Sequence, residues 1–278
     1  MSDKCQLSSN PSLDSFLTEN PVFTVQELDA FLARHRTGNV NTRKSLLSYY
    51  RKQGRLIAVR RGLYAGIPRT QRGQNHLADP FLVASKLTPD AVLAHHTALE
   101  LLGRAHSFTS RVIYCSEAKI DGFTFQGVSY QCVRVPFELS EKNAQSFGTT
   151  TVTWQGMNIA VTGFERTMVD VLTRPDLAGG WEEIWRSLET IEYFDLDLVY
   201  SYLGLLDNAT TTAKVGFYLE QHREALMVDD AFLRKLEANV PKTPHYMERQ
   251  HRVGCTLSKR WNLLVPEALA RRSWADES

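Results

Sequence analysis

The chain has 278 residues, of which 43% are hydrophobic and 23% charged, and its formal net charge is +1. This composition is that of a globular protein with enough apolar material for one small and one medium domain, and it excludes a disordered chain. No stretch approaches the ~18 consecutive apolar residues of a membrane span, and the first residues lack the apolar segment of a secretory signal. We therefore expect a cytoplasmic protein whose four scattered cysteines are reduced thiols.

Charge is distributed unevenly along the chain and suggests three parts. Residues 1–20 are predicted to be a flexible polar arm, residues 21–75 a small basic domain, and residues 76–278 a larger C-terminal domain. Between residues 24 and 75, eleven Lys and Arg accompany two acids, a net +9, whereas residues 160–200 carry nine acids and three arginines, a net −6. A local basic field attracts polyanions even when the whole chain is nearly neutral.

Two helices are predicted at the start of the basic domain. Residues 24–27 read TVQE, the form of a capping box, so the first helix should begin at Val25. A turn at residues 37–40 precedes a second helix, which Asn41 or Thr42 would cap and Gly54 would end in a left-handed conformation.

The second helix has two faces, and a hairpin follows it. Leu46, Leu47 and Tyr50 form a buried stripe, while small polar and cationic residues occupy the opposite face. Residues 56–67 then predict a hairpin with arginines and a glycine at its tip. Helix, turn, helix and hairpin make a winged helix, whose basic helix suits the major groove and whose wing suits phosphates or the minor groove. The candidate DNA-binding residues are therefore Asn41, Thr42, Arg43, Lys44, Ser48, Arg51, Lys52, Arg60 and Arg61.

The rest of the chain predicts a mixed α+β domain with a small sheet and several helices. The pattern indicates a helix at 78–87, a strand at 111–115, hairpins at 123–135 and 150–161, and helices at 181–192, 195–203, 210–226 and 230–239. Residues 162–165 read TGFE, a second capping-box pattern, and predict a helix that continues to about Leu172. The C-terminal residues carry a net +3 and are either a docked element with Trp261 in the core or a second phosphate-binding surface.

Several residues could suggest chemistry. Adjacent His95 and His96 point in different directions from a helix or strand, which favours a structural role over a metal site. Glu117 and Lys119 superficially resemble the E-x-K motif of metal-dependent nucleases, but the nearby upstream acid, Asp90, lies in a turn. We expect no catalytic residue, no metal and no cofactor.

Glu165, Arg166 and Asp170 lie at the start of a predicted helix. Their spacing is that of capping groups and of ion pairs on a helix surface, and we predict that role for them.

Three segments, in this order, resemble one known family. They read GRLIAVRRGLY at residues 54–64, AHHTALELLG at 94–103, and VTGFERTMVDVL at 161–172, with Pro175 following. The same motifs occur in this order in AbiEi antitoxins, from the abortive-infection toxin–antitoxin systems of bacteria. The resemblance covers about residues 23–180.

The resemblance implies a specific function. AbiEi antitoxins bind inverted repeats in their own promoter through an N-terminal winged helix and repress the operon. Their C-terminal domain counteracts a nucleotidyltransferase-like toxin, in several systems without a stable complex. Two other classes stay open at this point: a winged-helix module for protein–protein contacts without sequence-specific DNA binding, and a metal-dependent nuclease.

Overall fold

The chain was analysed as a computed structural model that describes residues 13–35, 40–68, 76–248 and 253–271. Within these ranges it contains twelve α-helices and three sheets, which confirms the predicted α+β class. None of the helices in the described ranges is long and apolar enough to cross a membrane.

The first unit is a small three-stranded antiparallel sheet with three helices. Its strands are ordered β1-β3-β2, so that the central strand comes from the hairpin and the outer strand β1 precedes the helix pair. The elements are α1 (Leu13–Glu19), β1 (Val22–Thr24), α2 (Val25–His35), α3 (Val40–Lys52), β2 (Leu56–Arg60) and β3 (Leu63–Gly66).

The prediction of a flexible arm over residues 1–20 is wrong for residues 13–19. Residues Leu13–Glu19 form the helix α1 instead, and both Leu13 and Phe16 are buried in the apolar core of the first unit. The Phe16 ring lies 5.1 Å from that of Phe23, edge to face, a geometry that aromatic pairs favour. Residues 1–12 lie outside the described ranges.

Helix α2 begins as the capping box predicts. The Thr24 backbone N–H donates to Glu27 Oε2 at 2.8 Å, and the Glu27 N–H donates to Thr24 Oγ1 at 3.2 Å. Leu28 and Leu32 are buried on the inner face of the helix. These reciprocal bonds satisfy donors that the first helical turn leaves without partners.

Helix α3 ends as predicted but begins earlier. Gly54 has φ +61°, its N–H donates to the Arg51 carbonyl, and the Arg55 N–H donates to the Tyr50 carbonyl. This pair of bonds is the Schellman motif that a left-handed glycine permits. The helix begins at Val40, so Asn41 and Thr42 belong to its first turn, and most of the predicted turn lies outside the described residues.

The larger unit contains a six-stranded mixed sheet ordered β6-β7-β5-β4-β9-β8 and a small sheet ordered β10-β12-β11. Its strands are β4 (Val92–Leu93), β5 (Arg111–Ser116), β6 (Phe123–Phe125), β7 (Val128–Arg134), β8 (Thr149–Trp154), β9 (Met157–Thr162), β10 (His245–Tyr246), β11 (Cys255–Ser258) and β12 (Leu263–Pro266). Its helices are α4 (Pro80–Ser85), α5 (His96–Leu101), α6 (Phe137–Glu141), α7 (Phe164–Thr173), α8 (Trp181–Leu188), α9 (Leu196–Leu206), α10 (Ala209–Gln221), α11 (Asp230–Glu237) and α12 (Glu267–Arg271).

The two units share apolar packing. One buried cluster contains Val22, Val59 and Leu63 of the first unit together with Leu82 and Val83 of helix α4. A second cluster fills the space between the sheet and helices α7 to α11. Because the first cluster draws on both units, separating them would expose apolar surface to water.

Trp261 lies in the core, as one of the two C-terminal alternatives predicts. It is fully buried, and its Nε1–H donates to Glu220 Oε2 at 2.6 Å. The neighbouring Arg260 pairs with Glu220, Asp230 and Glu237, so its charge is already matched by three carboxylates. This part of the chain is a docked element.

The second predicted capping box is wrong, although the helix that it marks exists. The Thr162 hydroxyl pairs with the Thr167 hydroxyl at 2.7 Å, and Glu165 accepts a hydrogen bond from the Asp195 N–H at 3.1 Å. Gly163 is the N-cap and has no side chain to donate or accept. The Thr162 side chain is thus bonded to Thr167 within α7 itself, and the Glu165 side chain to the backbone at the start of α9, so neither forms the box.

Candidate nucleic-acid interface

The outer face of α3 is polar and exposed. Leu47 is buried, and Leu46 and Tyr50 pack beside it against the core of the first unit, as predicted. The opposite face bears exposed cationic and small polar side chains, which are Lys44, Ser45, Ser48, Arg51 and Lys52. Because this face has both positive charge and hydrogen-bonding groups, it is a candidate surface for a polyanion.

Arg43 is placed differently from its neighbours on α3. Its guanidinium forms an ion pair with Asp29 of α2, and only 21% of its side chain is exposed. The bond joins the two helices and partly neutralises the arginine. The sequence predicts Arg43 as a DNA-binding residue at the edge of the basic face, and in the structure its side chain also joins α3 to α2 through Asp29.

The hairpin tip carries Arg60 and Arg61, both exposed. Gly62 follows with φ +83°, which closes the turn between β2 and β3. The Arg60 guanidinium lies 5.6 Å from the ring centroid of Phe123 in the larger unit, within the range of a cation–π contact. Arg60 therefore links the hairpin to the sheet of the larger unit, whereas Arg61 extends from the tip.

A cleft of about 540 Å³ separates the hairpin tip from the turn after α4. Glu27 lines it from one side and Lys86 from the other, and their side chains form an ion pair. Glu27 also belongs to the capping box of α2. Sequence reasoning missed Lys86, because its partner lies 59 residues away and no local pattern marks the pair.

Fewer of the basic residues are exposed than the charge count implies. Arg55 forms an ion pair with Asp14 and lies 4.4 Å from the ring centroid of Tyr50. The exposed cations of the described first unit are Arg34, Lys44, Arg51, Lys52, Arg60 and Arg61, and Arg60 also lies against the Phe123 ring. The positive field is therefore concentrated on α3 and the hairpin tip. Asn41 and Thr42 lie in the first turn of α3, but their side chains lie outside the described part of the structure.

Arg166 and Asp170 of the third motif are buried, which contradicts the prediction that they form an ion pair on the helix surface. Arg166 is 1% exposed, and its Nη1 donates to the carbonyls of Gln145 and Phe147 at 2.7 Å each. Asp170 lies 3.5 Å from Arg166 Nε and accepts a hydrogen bond from the Tyr202 hydroxyl at 2.7 Å. The motif thus holds α7 to the turn before β8 and to α9.

His96, the second histidine of the pair, has partners within the protein. His96 is buried between two carboxylates, with Nε2 at 3.0 Å from Glu183 Oε1 and Nδ1 at 3.1 Å from Glu100 Oε1. Burial alone would lower the pKa of His96, but the hydrogen bonds and negative charges of Glu100 and Glu183 outweigh it and raise the pKa. The protonated imidazolium is therefore stabilised in the folded state.

Asp90 and Glu117, which resemble part of a nuclease motif, have hydrogen-bond partners at and near the end of β5. Asp90 accepts hydrogen bonds from the Ser116 hydroxyl and from the Glu117 backbone N–H, both at 2.7 Å. The Glu117 carboxylate accepts a bond from Gln145 at 2.8 Å, and Lys119 is exposed. These contacts give Asp90 a structural role in fixing the end of β5.

Comparisons with known proteins add a likeness of fold. No protein-family model matches the chain, and no curated protein matches it in sequence. Among solved structures, the chain is similar to the crystal structure of the Rv2827c protein from Mycobacterium tuberculosis, with a TM-score of 0.62 and 18% identity. The likeness covers 96% of this chain and 94% of that chain, so it includes both units.

We predict that His96 makes folding stability dependent on pH. Because its folded pKa is raised above the unfolded value of about 6.5, its stabilisation is complete below pH 6.5 and is lost as the pH rises through the folded pKa. The measurement is the free energy of unfolding by urea across this range, for the wild type and for His96→Gln. The difference between the two proteins should shrink as the pH rises. A difference that stays constant with pH would show that His96 is neutral in the folded protein.

Proposed function

We propose that the first unit is a winged helix that binds double-stranded DNA. The order β1, α2, α3, β2, β3 supports the proposal, because a helix pair followed by a hairpin is the winged-helix arrangement. The observation that carries it is the outer face of α3, where Lys44, Ser48 and Lys52 are exposed at intervals of four residues. A helix with this face fits the width of the major groove.

The exposed residues divide into two roles. Lys44 and Ser48 lie one turn apart on α3, and their ammonium and hydroxyl groups can donate to acceptors on base edges. Lys52 at the end of α3 and Arg61 at the hairpin tip suit phosphates. Arg43 has a partner within its own unit and Arg60 one in the larger unit, so we assign both to positioning the helix and the wing.

We predict that alanine substitution of a base-contacting residue and of a phosphate-contacting residue will reduce DNA affinity in different ways. Lys44→Ala should weaken binding to the promoter duplex by about 1–3 kcal/mol more than binding to scrambled DNA, because a base contact carries sequence preference. Arg61→Ala should weaken both duplexes alike and reduce the slope of log affinity against log salt by about one unit. Fluorescence anisotropy over a salt series measures both effects.

Arg223→Ala is the matched control, since Arg223 is an exposed arginine of the larger unit. It should leave affinity and salt slope unchanged. If Lys44→Ala and Arg61→Ala bind both duplexes as the wild type does, α3 and the wing do not contact DNA. The first unit would then be a protein–protein interaction module.

We further propose that the chain is a cytoplasmic antitoxin of the AbiE type, which represses its own operon and counteracts a nucleotidyltransferase-like toxin. The support is the order of the three motifs along the chain. Their residues have defined places in the fold: Gly62 closes the hairpin, His96 pairs with Glu183, and Arg166 anchors α7. If this chain has the same fold as AbiEi antitoxins in both units, it should keep packing residues such as these in the same order along the sequence.

We predict that DNA binding and toxin rescue separate in the full-length protein. The double variant Lys44→Ala, Lys52→Ala should lose promoter repression and still protect cells that express a nucleotidyltransferase-like toxin which the wild type counteracts, because both lysines lie on the outer face of α3. Full-length protein is needed, since the units share an apolar cluster. A variant that melts like the wild type but loses both activities would contradict this division.

A further inference from the structure

Strand β8 lies at one edge of the six-stranded sheet, where β9 is its neighbour on the inner side. Its six residues, Thr149–Trp154, make it the longest edge strand in the described part of the chain. The edge of a sheet presents N–H and C=O groups to which a strand of another chain can add, and proteins usually protect long edges against such pairing. The edge at β8 is therefore a candidate surface for assembly.

The register with β9 identifies the backbone groups on the outer side of β8. The Gly163 N–H donates to the Gly148 carbonyl at 2.8 Å, and bonded positions alternate along an antiparallel pair. Thr151 and Thr153 therefore direct their N–H and C=O groups away from β9. Within the described ranges no strand or loop bonds to these groups, and both side chains are exposed.

The other edges of the two antiparallel and mixed sheets described above carry protections that β8 lacks. Strands β1 and β6 have three residues each, and β2 has an irregular register between Ala58 and Arg60. Short length, bulges and charged side chains all hinder the addition of a further strand. Strand β8 has neither a charged residue nor a proline, and its register with β9 is regular.

The absence of charge around β8 favours a second copy of this chain as its partner. Residues 143–164 contain no charged residue, and they are the longest such stretch in a chain that is 23% charged. Two copies of this stretch can face each other without opposing like charges, whereas a charged partner would find no counter-charge here. Threonines opposite each other on neighbouring strands also stabilise a strand pair through their side chains.

We propose that two copies of the protein dimerise by antiparallel pairing of their β8 strands. The two-fold axis passes beside Val152, so that Thr151 of one copy lies opposite Thr153 of the other. The outward N–H and C=O groups of these threonines then obtain partners, and the two six-stranded sheets become continuous. Because each copy contributes its single β8 edge, the pairing closes at two copies. The inference does not depend on the DNA-binding proposal.

The test is sedimentation velocity of the full-length protein without DNA, from micromolar to hundreds of micromolar. The wild type should show a monomer–dimer equilibrium. The double variant Thr151→Lys, Thr153→Lys should raise the dissociation constant by about tenfold or more, because like charges opposite each other destabilise a strand pair. Thr151→Asp, Thr153→Asp should have the same effect. An equimolar mixture of the two variants should dimerise again, because opposite charges then face each other.

Thr124→Lys is the matched control, because Thr124 is an exposed threonine of β6 at the opposite edge of the same sheet. It should dimerise as the wild type does. The proposal is overturned if the wild type is monomeric at the highest concentration or forms assemblies larger than a dimer. It is equally overturned if the Lys double variant dimerises as the wild type does, or if Thr124→Lys dissociates the dimer. A mixture of the Lys and Asp variants that stays monomeric also contradicts it.

Discussion

The buried guanidinium of Arg166 is the constraint on which the larger unit depends. A charge removed from water is costly unless it is paired and hydrogen-bonded, and this one is 1% exposed. Its partners are the carbonyls of Gln145 and Phe147 and the carboxylate of Asp170, which Tyr202 also contacts. The turn before β8, the helix α7 and the helix α9 must therefore take one arrangement. The same network fixes one wall of a cavity of about 230 Å³, to which Asp170 contributes.

A second charged group determines how the first unit meets the larger one. Glu27 caps α2 with Thr24 and pairs with Lys86, and its pKa is lowered because these bonds outweigh the effect of burial. One carboxylate thus stabilises the start of α2 and the junction between the units. Apolar residues of both units, such as Val59 and Leu82, are buried together in one cluster. With the hairpin docked in this way, the outer face of α3 stays exposed to solvent.

Local signals in the sequence predicted most elements, and tertiary partners account for the errors. Spacings of a few residues were enough to predict the capping box at Thr24, the hairpins and the exposed face of α3. A spacing of four residues is the same for exposed and buried ion pairs, so the sequence does not reveal that Arg166 and Asp170 are buried. The sequence does not predict the ion pair of Arg43, because its partner Asp29 belongs to another helix. The junction between the two units has no local signature, because Glu27 and Lys86 lie 59 residues apart.

The central claim, that the outer face of α3 meets DNA, is tested most directly by photo-crosslinking. A photo-reactive amino acid is incorporated at position 48 of the full-length protein, on the exposed face of α3, and at position 193, where Tyr193 is 65% exposed in the larger unit. Irradiation with the promoter duplex should crosslink position 48 to bases of the inverted repeat and leave position 193 without product. Crosslinks at position 193 alone, or none at position 48 under conditions where the duplex is bound, would contradict the account.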